Sequence, residues 1–327
     1  MLVREETTVA WGRLARRDNR EGGFRVPSIH TNKGRFWPVA STLIAPALIV
    51  LAAFSISAAA TGGVEADARA AAGASSSSSS KAQADSIARC QPAAPNSAFG
   101  EGEWFQFSIQ YGAIRAGDAL MQVESVENVA GRPCYRLVSK AESNSFFSLF
   151  FKVRDRVDSF MDVEELVSRR FSKNTLEGKH KDNFTIDLDH GSGTARYSDG
   201  AELELLPCSQ DILSAFYYVR TVDLEVGRSV EVPCHADKKN YQLEVKVHRR
   251  ETVRTPAGQF TCLVIEPLLK SSGVFRQKGR LTIWLTDDEY KIPVLMQSKI
   301  LVGSVSAILT DMHSPTAGGK YARGPKN

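Results

Sequence analysis

Apolar and polar residues alternate with a period of two along much of the chain. In WFQFSIQY, the apolar residues Phe105, Phe107 and Ile109 fall on one face, and polar residues fall on the other. The segments FTIDLD, ELELL and YQLEVKVH repeat this pattern further along. Such alternation is typical of an antiparallel sheet with one covered and one solvated face. We therefore predict a mainly all-β fold, a strongly curved antiparallel sheet that forms a half-barrel or a barrel.

One segment departs from the period of two. After Ser209, a favourable N-cap residue, Ile212, Phe216 and Val219 recur at helical spacing. We predict one short amphipathic helix at about 210–221, packed against the sheet.

The N-terminal region contains a long apolar run. Residues 36–60 carry no charge, follow Lys33 and Arg35, and end in small residues. A basic start, an apolar stretch and a small-residue end are typical of a signal peptide. We predict that residues 1–60 are a signal peptide or, if uncleaved, an N-terminal anchor that associates with a membrane through residues 36–60. The chain is then periplasmic or otherwise in the cell envelope.

Composition sets the remaining boundaries. Residues 61–98 are rich in Ala, Gly and Ser and contain too few apolar side chains for a core. We predict a disordered linker there, a β domain at 99–313 and a disordered tail at 314–327.

The net charge of +4 comes from the N-terminal region. Eight of the 41 Lys and Arg residues and four of the 37 Asp and Glu residues lie within residues 1–60, so the rest of the chain holds 33 of each. A nucleic-acid-binding domain has a basic surplus in its folded part. We therefore expect no nucleic-acid partner.

Five segments, in order, carry a resemblance to a known family. They are FSIQYGAIRAGDALMQV (107–123), DILSAFYYVRTVDLEVG (211–227), TPAGQFTCLVIEP (255–267), KGRLTIWLTDDEYKIPV (278–294) and VGSVSAIL (302–309). From Phe105 to Leu309 the chain resembles DUF3108, a bacterial family of unknown function. The resemblance implies an exported β-rich protein, and it implies no activity and no catalytic residues.

The cysteines and histidines do not form a known motif. None of the five cysteines forms a C-x-x-C pair, and the six histidines have no metal-ligand spacing. Cys208 and Cys234 flank the predicted helix and could form a disulfide, but we favour buried free thiols. We predict no metal site and no cofactor.

Two adjacent carboxylates, Asp287 and Asp288, are the best candidates for acid–base chemistry. Adjacent residues on a strand point in opposite directions, so these carboxylates would not converge. A turn in which Asp side chains bind backbone amides explains them better. We predict no catalytic residues.

A dense apolar cluster, FFSLFF at residues 146–151, precedes Asp155. If the strand continues in phase, Asp155 points to the apolar face and needs a partner, which Arg115, Arg220 or Arg280 could supply. The predicted ligand-binding residues are Phe150, Phe151, Asp155, Arg220 and Arg280. The alternative, an edge loop whose phenylalanines pack into the core, stays open.

Because curled sheets can hold a ligand in their concavity, we predict an exported cell-envelope protein that binds an amphipathic or apolar ligand, a lipid or an envelope glycan, without catalysis. The alternatives are a hydrolase of envelope polymers acting through Asp287 and Asp288, and an interaction module that scaffolds a complex near the membrane.

Overall fold

The computed structural model describes Cys90, Pro92 and residues 95–270, 280–299 and 303–321. The predicted signal peptide or anchor at 1–60 lies outside the described residues. So do the predicted linker at 61–98, apart from Cys90, Pro92 and residues 95–98, and the last six residues of the predicted tail.

Strands dominate the described part of the chain. The strands are β1 Trp104–Tyr111, β2 Ile114–Val129, β3 Arg132–Ser143, β4 Val153–Asp162, β5 Ser168–Glu177, β6 His180–Asp189, β7 Thr194–Tyr197, β8 Glu202–Glu204, β9 Ser229–Ala236, β10 Lys239–Thr255, β11 Gly258–Lys270, β12 Arg280–Thr286, β13 Pro293–Lys299 and β14 Ser304–His313. The α-helices are α1 Ser145–Ser148 and α2 Ile212–Val219, and a 3-10 helix covers Gly318–Tyr321. None of the helices in these described ranges is long and apolar enough to cross a membrane.

The strands form one antiparallel sheet with the order β8-β7-β6-β5-β4-β3-β2-β1-β14-β13-β12-β11-β10-β9. Each strand pairs with its sequence neighbours, except that β8 and β9 form the two edges and β1 pairs with β14 in the middle. Register shifts interrupt the β1–β14, β1–β2, β2–β3, β4–β5, β10–β11 and β12–β13 pairs. Such bulges bend strands and increase twist, which lets a large sheet curl.

The two edges of the sheet approach each other without forming a continuous ladder. Tyr197 Oη on β7 lies 3.0 Å from His235 Nε2 on β9. Asn240 on β10 donates to the carbonyl oxygen of Glu204 on β8, at 2.9 Å. The predicted curved antiparallel sheet is thus confirmed as an open sheet of 14 strands, with side chains from its two edges in contact.

The apolar face predicted from the period of two forms the core. Phe105, Phe107 and Ile109 on β1 are buried, as are Leu243 and Val245 on β10. Most buried apolar side chains belong to one large cluster that continues onto α2. The alternating pattern therefore assigned the inner face correctly.

The predicted helix is present but shorter and capped differently. It covers Ile212–Val219, and its N-cap is Asp211, whose carboxylate accepts hydrogen bonds from the amides of Leu213 and Ser214. The prediction of Ser209 as N-cap is wrong, because the Ser209 hydroxyl donates instead to the carbonyl oxygen of Leu206.

The cysteines confirm the buried-thiol interpretation in three cases and contradict it for Cys208. Cys90 forms a disulfide with Cys208, with 5.4 Å between their Cα atoms, whereas Cys134, Cys234 and Cys262 are buried free thiols. The suggested Cys208–Cys234 pair is wrong, since Cys234 on β9 is enclosed in the core. Burial raises the pKa of Cys134 to about 11, which keeps this thiol protonated and unreactive.

Part of the region predicted to be a disordered tail has defined contacts. Tyr321 packs against the core and donates a hydrogen bond from its hydroxyl to Asp288. Lys320 Nζ lies 2.8 Å from Asp288 Oδ2. These contacts order residues 314–321 because one turn carboxylate offers acceptors to two tail side chains.

Candidate functional site

A cleft lies between α2 and the concave face of the sheet. The space between its side chains, counted together with open solvent at the mouth, is about 800 Å³. Its walls are formed by Met121, Val157, Phe171, Lys173, Phe184, Ile186, Asp211, Ile212, Leu213, Phe216, His235, Ala236, Asp237, Leu281, Ile283 and Met296. Apart from Asp211, the N-cap of α2, and Asp237, in the turn after β9, these residues come from β2, β4, β5, β6, β9, β12, β13 and α2. The cleft therefore exists only because the sheet curls around the helix.

The walls of the cleft are mainly apolar, and some of their side chains keep contact with solvent. Val157, Phe184, Ile212 and Phe216 are only half-buried. The part of the cleft wide enough for the centre of a water molecule is about 70 Å³. A slim apolar group fits this shape better than a sugar ring.

One cation lies among the aromatic side chains. Lys173 on β5 pairs in register with Val157 and Phe184, so it points to the inner face. Its Nζ lies 3.1 Å from Asp182 Oδ2 and 5.9 Å from the centre of the Phe184 ring. An ammonium group held beside an apolar cleft can bind a polar head while the apolar walls bind a tail.

Asp155 lies beside the cleft on the same face as Val157. It pairs in register with the buried Thr175, and its Oδ1 accepts a hydrogen bond from the amide of Leu176 at 3.1 Å. Burial raises the pKa of Asp155 to about 7, the carboxylate of Glu177 adds to the shift, and the Leu176 amide and Lys173 oppose it. The group therefore changes charge near neutral pH.

The fully buried carboxylate of Asp211 fastens α2 to the sheet. Besides capping the helix, it accepts hydrogen bonds from the hydroxyls of Ser159 on β4 and Ser168 on β5. Burial raises its pKa, and these hydrogen bonds oppose the shift. With four donors, the carboxylate has a structural role at the base of the cleft.

The two predicted phenylalanines do not line the cleft. Phe150 is 65% exposed, on the loop after α1. Phe151 packs against the core and against the turn at Gly178, where a Cβ would lie 2.7 Å from its ring. One of these two phenylalanines of the loop is therefore exposed to solvent, and the other packs against the core.

The predicted arginines have other partners. The buried Arg220 binds Glu103, with 2.7 Å between Nη1 and Oε1. Arg280 binds Glu266 at 2.7 Å. Arg115, the third candidate, binds Asp118 at 2.6 Å. The prediction that an arginine pairs with Asp155 is wrong, because all three side chains are directed to carboxylates elsewhere. None of the five predicted ligand-binding residues lines the cleft, and only Asp155 shares a strand face with the wall residue Val157.

A second, polar depression contains Asp287 and Asp288. Asp288 Oδ1 accepts hydrogen bonds from the amides of Tyr290 and Lys291, both at 3.1 Å, which confirms the turn interpretation. Burial disfavours the Asp288 carboxylate, but hydrogen bonds led by that from Lys320 outweigh this effect and lower its pKa. Asp287 binds Arg250 at 2.6 Å. A general acid needs a raised pKa, and Asp288 has the opposite shift.

The residues that build the cleft left one signal in the sequence. In FSKNT, residues 171–175, the period of two puts Lys173 on the same face as Phe171. A charged residue at an apolar-phase position marks a site where the inner face meets solvent or a ligand. No local sequence pattern indicates that residues of α2 and β12 also line the cleft.

Comparison with known proteins gives a family and several distant folds. No curated protein matches the sequence. A β-barrel-like protein of the domain of unknown function DUF1849 from Brucella abortus has 10% identity and a TM-score of 0.45, over 65% of this chain and 97% of that one. A candidate lipoprotein from Parabacteroides distasonis has 10% identity and a TM-score of 0.30, over 65% and 96%.

A candidate exported protein from Bacteroides fragilis has 11% identity and a TM-score of 0.25, over 66% of this chain and 97% of that one. At these TM-scores the three proteins say nothing about what this chain binds. The family model described as protein of unknown function, DUF3108, matches residues 106–310. This range covers most of the sheet and α2, as the resemblance predicted, and the chain therefore belongs to the DUF3108 family.

Proposed function

We propose that this domain binds an amphipathic, lipid-like molecule in the cleft between α2 and the sheet, without catalysis. The observation that carries the proposal is the apolar wall of the cleft with the cation of Lys173 set into it. The tail of the ligand lies against Phe171, Phe184 and Phe216, and its polar head lies toward Lys173 and Asp155. The part of the cleft that admits the centre of a water molecule is about 70 Å³, so the ligand tail that we propose is slim.

A lipid tail suits the cleft better than an envelope glycan. Sugar rings need several hydrogen-bonding side chains, whereas these walls are mostly aliphatic and aromatic. The cell envelope is the compartment that we propose. The Cys90–Cys208 disulfide supports it, because such bonds persist in oxidising compartments.

The test is to fill the cleft. The full chain is purified with and without Val157→Trp, copurifying lipids are identified by native mass spectrometry, and binding of a dansyl-labelled long-chain fatty acid is titrated. Val126→Trp, at an exposed position outside the cleft, is the matched control. Lipid bound by residues 36–60 would be present equally in the unaltered chain and in both variants, so the comparison between them removes this contribution.

We expect Val157→Trp to lose the probe and any copurifying lipid specific to the cleft, with unfolding like that of the control variant. Saturable binding that is equal in all three proteins would place the probe elsewhere and overturn the proposal. The same follows if the unaltered chain shows neither copurifying lipid nor saturable binding.

A further inference from the structure

The loop between β3 and β4 carries apolar side chains into solvent. In the described part of the chain six large apolar residues are exposed, and four of them lie together at one end of the sheet. They are Ile114 (58% exposed), Phe146 (60%), Leu149 (79%) and Phe150 (65%). We call these four residues the apolar tip. Such a cluster is unfavourable in water and indicates a surface that is covered in use.

The apolar tip is held in place by defined contacts. The amide of Asn144 donates to the carbonyl oxygen of Ala116, and its side chain donates to that of Arg115 at 2.7 Å, which brings the turn with Ile114 next to α1. The rings of Phe146 and Phe150 lie 5.6 Å apart, edge to face. Phe151 anchors the loop to the core. The position of the tip is thus fixed by hydrogen bonds and packing contacts with the rest of the domain.

Basic residues lie beside the tip, at the start of β4 and around the turn between β5 and β6. The exposed side chains are Lys152, Arg154, Lys179 and Lys181. The amide of Gly178 donates to the carbonyl oxygen of Lys152 at 2.8 Å, so the turn with Lys179 lies beside the loop. Arg154 and Lys181 share a face, because both pair in register with Leu176. We call these four residues the basic collar. The acidic residues in the same rows are Asp118, Glu142 and Glu177. Asp118 is paired with Arg115 at 2.6 Å, so positive charge is in excess.

We propose that the apolar tip inserts into the surface of an anionic lipid bilayer, with the basic collar at the headgroups. The apolar side chains of the tip suit the acyl-chain boundary of such a bilayer, and the cations of the collar suit its anionic headgroups. A protein partner fits less well, because four partly exposed side chains supply less than the roughly 800 Å² that each partner gives to a stable interface. The proposal goes beyond ligand binding, since no tip residue lines the cleft.

Residues 36–60 could hold the full chain on a bilayer by themselves, so the experiment needs a local readout. Leu149→Cys in the full chain is labelled with the environment-sensitive fluorophore NBD. The free thiols Cys134, Cys234 and Cys262 are buried and do not compete for the label. Val226→Cys, at an exposed apolar position outside the tip, is the matched control. Vesicles contain phosphatidylcholine alone or with phosphatidylglycerol.

We expect the Leu149→Cys label to brighten and shift to the blue with phosphatidylglycerol vesicles, and to be quenched by nitroxide-labelled lipid. The control label should not change. Replacing Lys152, Lys179 or Lys181 with Gln should lower the ratio of inserted to free tip by about fivefold each.

Two results would overturn the proposal. One is a Leu149→Cys label that responds no more than the control label, or equally to both vesicle compositions. The other is a response to excess unlabelled protein without vesicles, which would assign the tip to a second copy of the chain. The same label on a protein that also carries Val157→Trp separates the two proposals. If its tip still inserts, membrane insertion does not depend on ligand binding in the cleft.

Discussion

Arg220 and Glu103 form an ion pair whose two side chains are both fully buried, with 2.7 Å between Nη1 and Oε1. The guanidinium group also lies 5.2 Å from the centre of the Phe105 ring and donates to the carbonyl oxygens of Ala98 and Tyr290. It thereby joins the end of α2 to the start of β1 and to the turn between β12 and β13. Arg220, one of the two arginines predicted to bind a ligand, is a structural cation.

Removing one member of this pair should be costly. We expect Arg220→Met to lower the free energy of unfolding by about 3–5 kcal/mol, because Glu103 would remain buried without its counter-charge. The double variant with Glu103→Leu should recover part of the loss, since it buries no charge. Denaturant unfolding measures both values.

Arg280→Met is the matched control for Arg220→Met. Arg280 is 56% exposed in its pair with Glu266, and we expect a loss of less than about 1 kcal/mol. Equal losses for the two single variants would contradict the structural role of Arg220.

The Cys90–Cys208 disulfide closes a segment of 118 residues. Replacing both cysteines with Ala should lower the free energy of unfolding by about 2–4 kcal/mol, mainly because the unfolded chain gains freedom. A reductant should destabilise the unaltered chain and leave the double variant unchanged. Peptide mapping without reduction should find Cys90 linked to Cys208, and a peptide linking Cys208 to Cys234 would contradict this pairing.

Asp155 should make stability depend on pH. Its pKa is raised from 3.8 to about 7, so the folded protein disfavours the carboxylate. The stability linked to this group is fully present below pH 3.8 and is lost as the pH rises through 7. The shift corresponds to up to ~4 kcal/mol, which partial exposure reduces to about 2 kcal/mol.

Asp155→Asn should therefore flatten this part of the pH profile and gain stability relative to the unaltered chain between pH 4 and pH 8. Unfolding followed across that range measures the difference. Asp187→Asn is the control, because Asp187 is paired with Arg170 on the exposed surface of β6. If the free energy of unfolding varied with pH in the same way for the unaltered chain and for Asp155→Asn, titration of Asp155 in this range would be ruled out.

Asp288→Asn tests the turn interpretation against the hydrolase alternative. The amide keeps an acceptor for the backbone but loses the charge that faces Lys320, so we expect a loss of about 1 kcal/mol. Because its pKa is lowered, the stability that Asp288 contributes is present above pH 3.8 and is lost as the pH falls below it.

Asp287→Asn is the comparison for Asp288→Asn, since Asp287 pairs with the exposed Arg250. Its effect should be smaller. Unchanged unfolding of Asp288→Asn together with loss of function in the cell would favour the hydrolase instead.

Local patterns in the sequence predicted the architecture well. The period of two placed Phe105, Phe107 and Ile109 on the buried face, and the helical spacing after Ser209 located α2 to within two residues at each end. Both succeed because the periodicity of side chains along a strand or helix is a property of the local backbone. The family followed from five ordered segments of the same chain.

The site depended on contacts between residues far apart in the chain. The cleft brings Val157, Phe216 and Ile283 together only after β1 pairs with β14 and the sheet curls around α2. The partner of Arg220 is 117 positions away and that of Cys208 is 118 away. Charge and residue type allow many partners at such distances, and strand register, curvature and burial select one. The alternation along each strand depends only on neighbouring residues, so the sequence shows it directly. The long-range pairings depend on how the sheet folds and packs, so only the tertiary structure shows them.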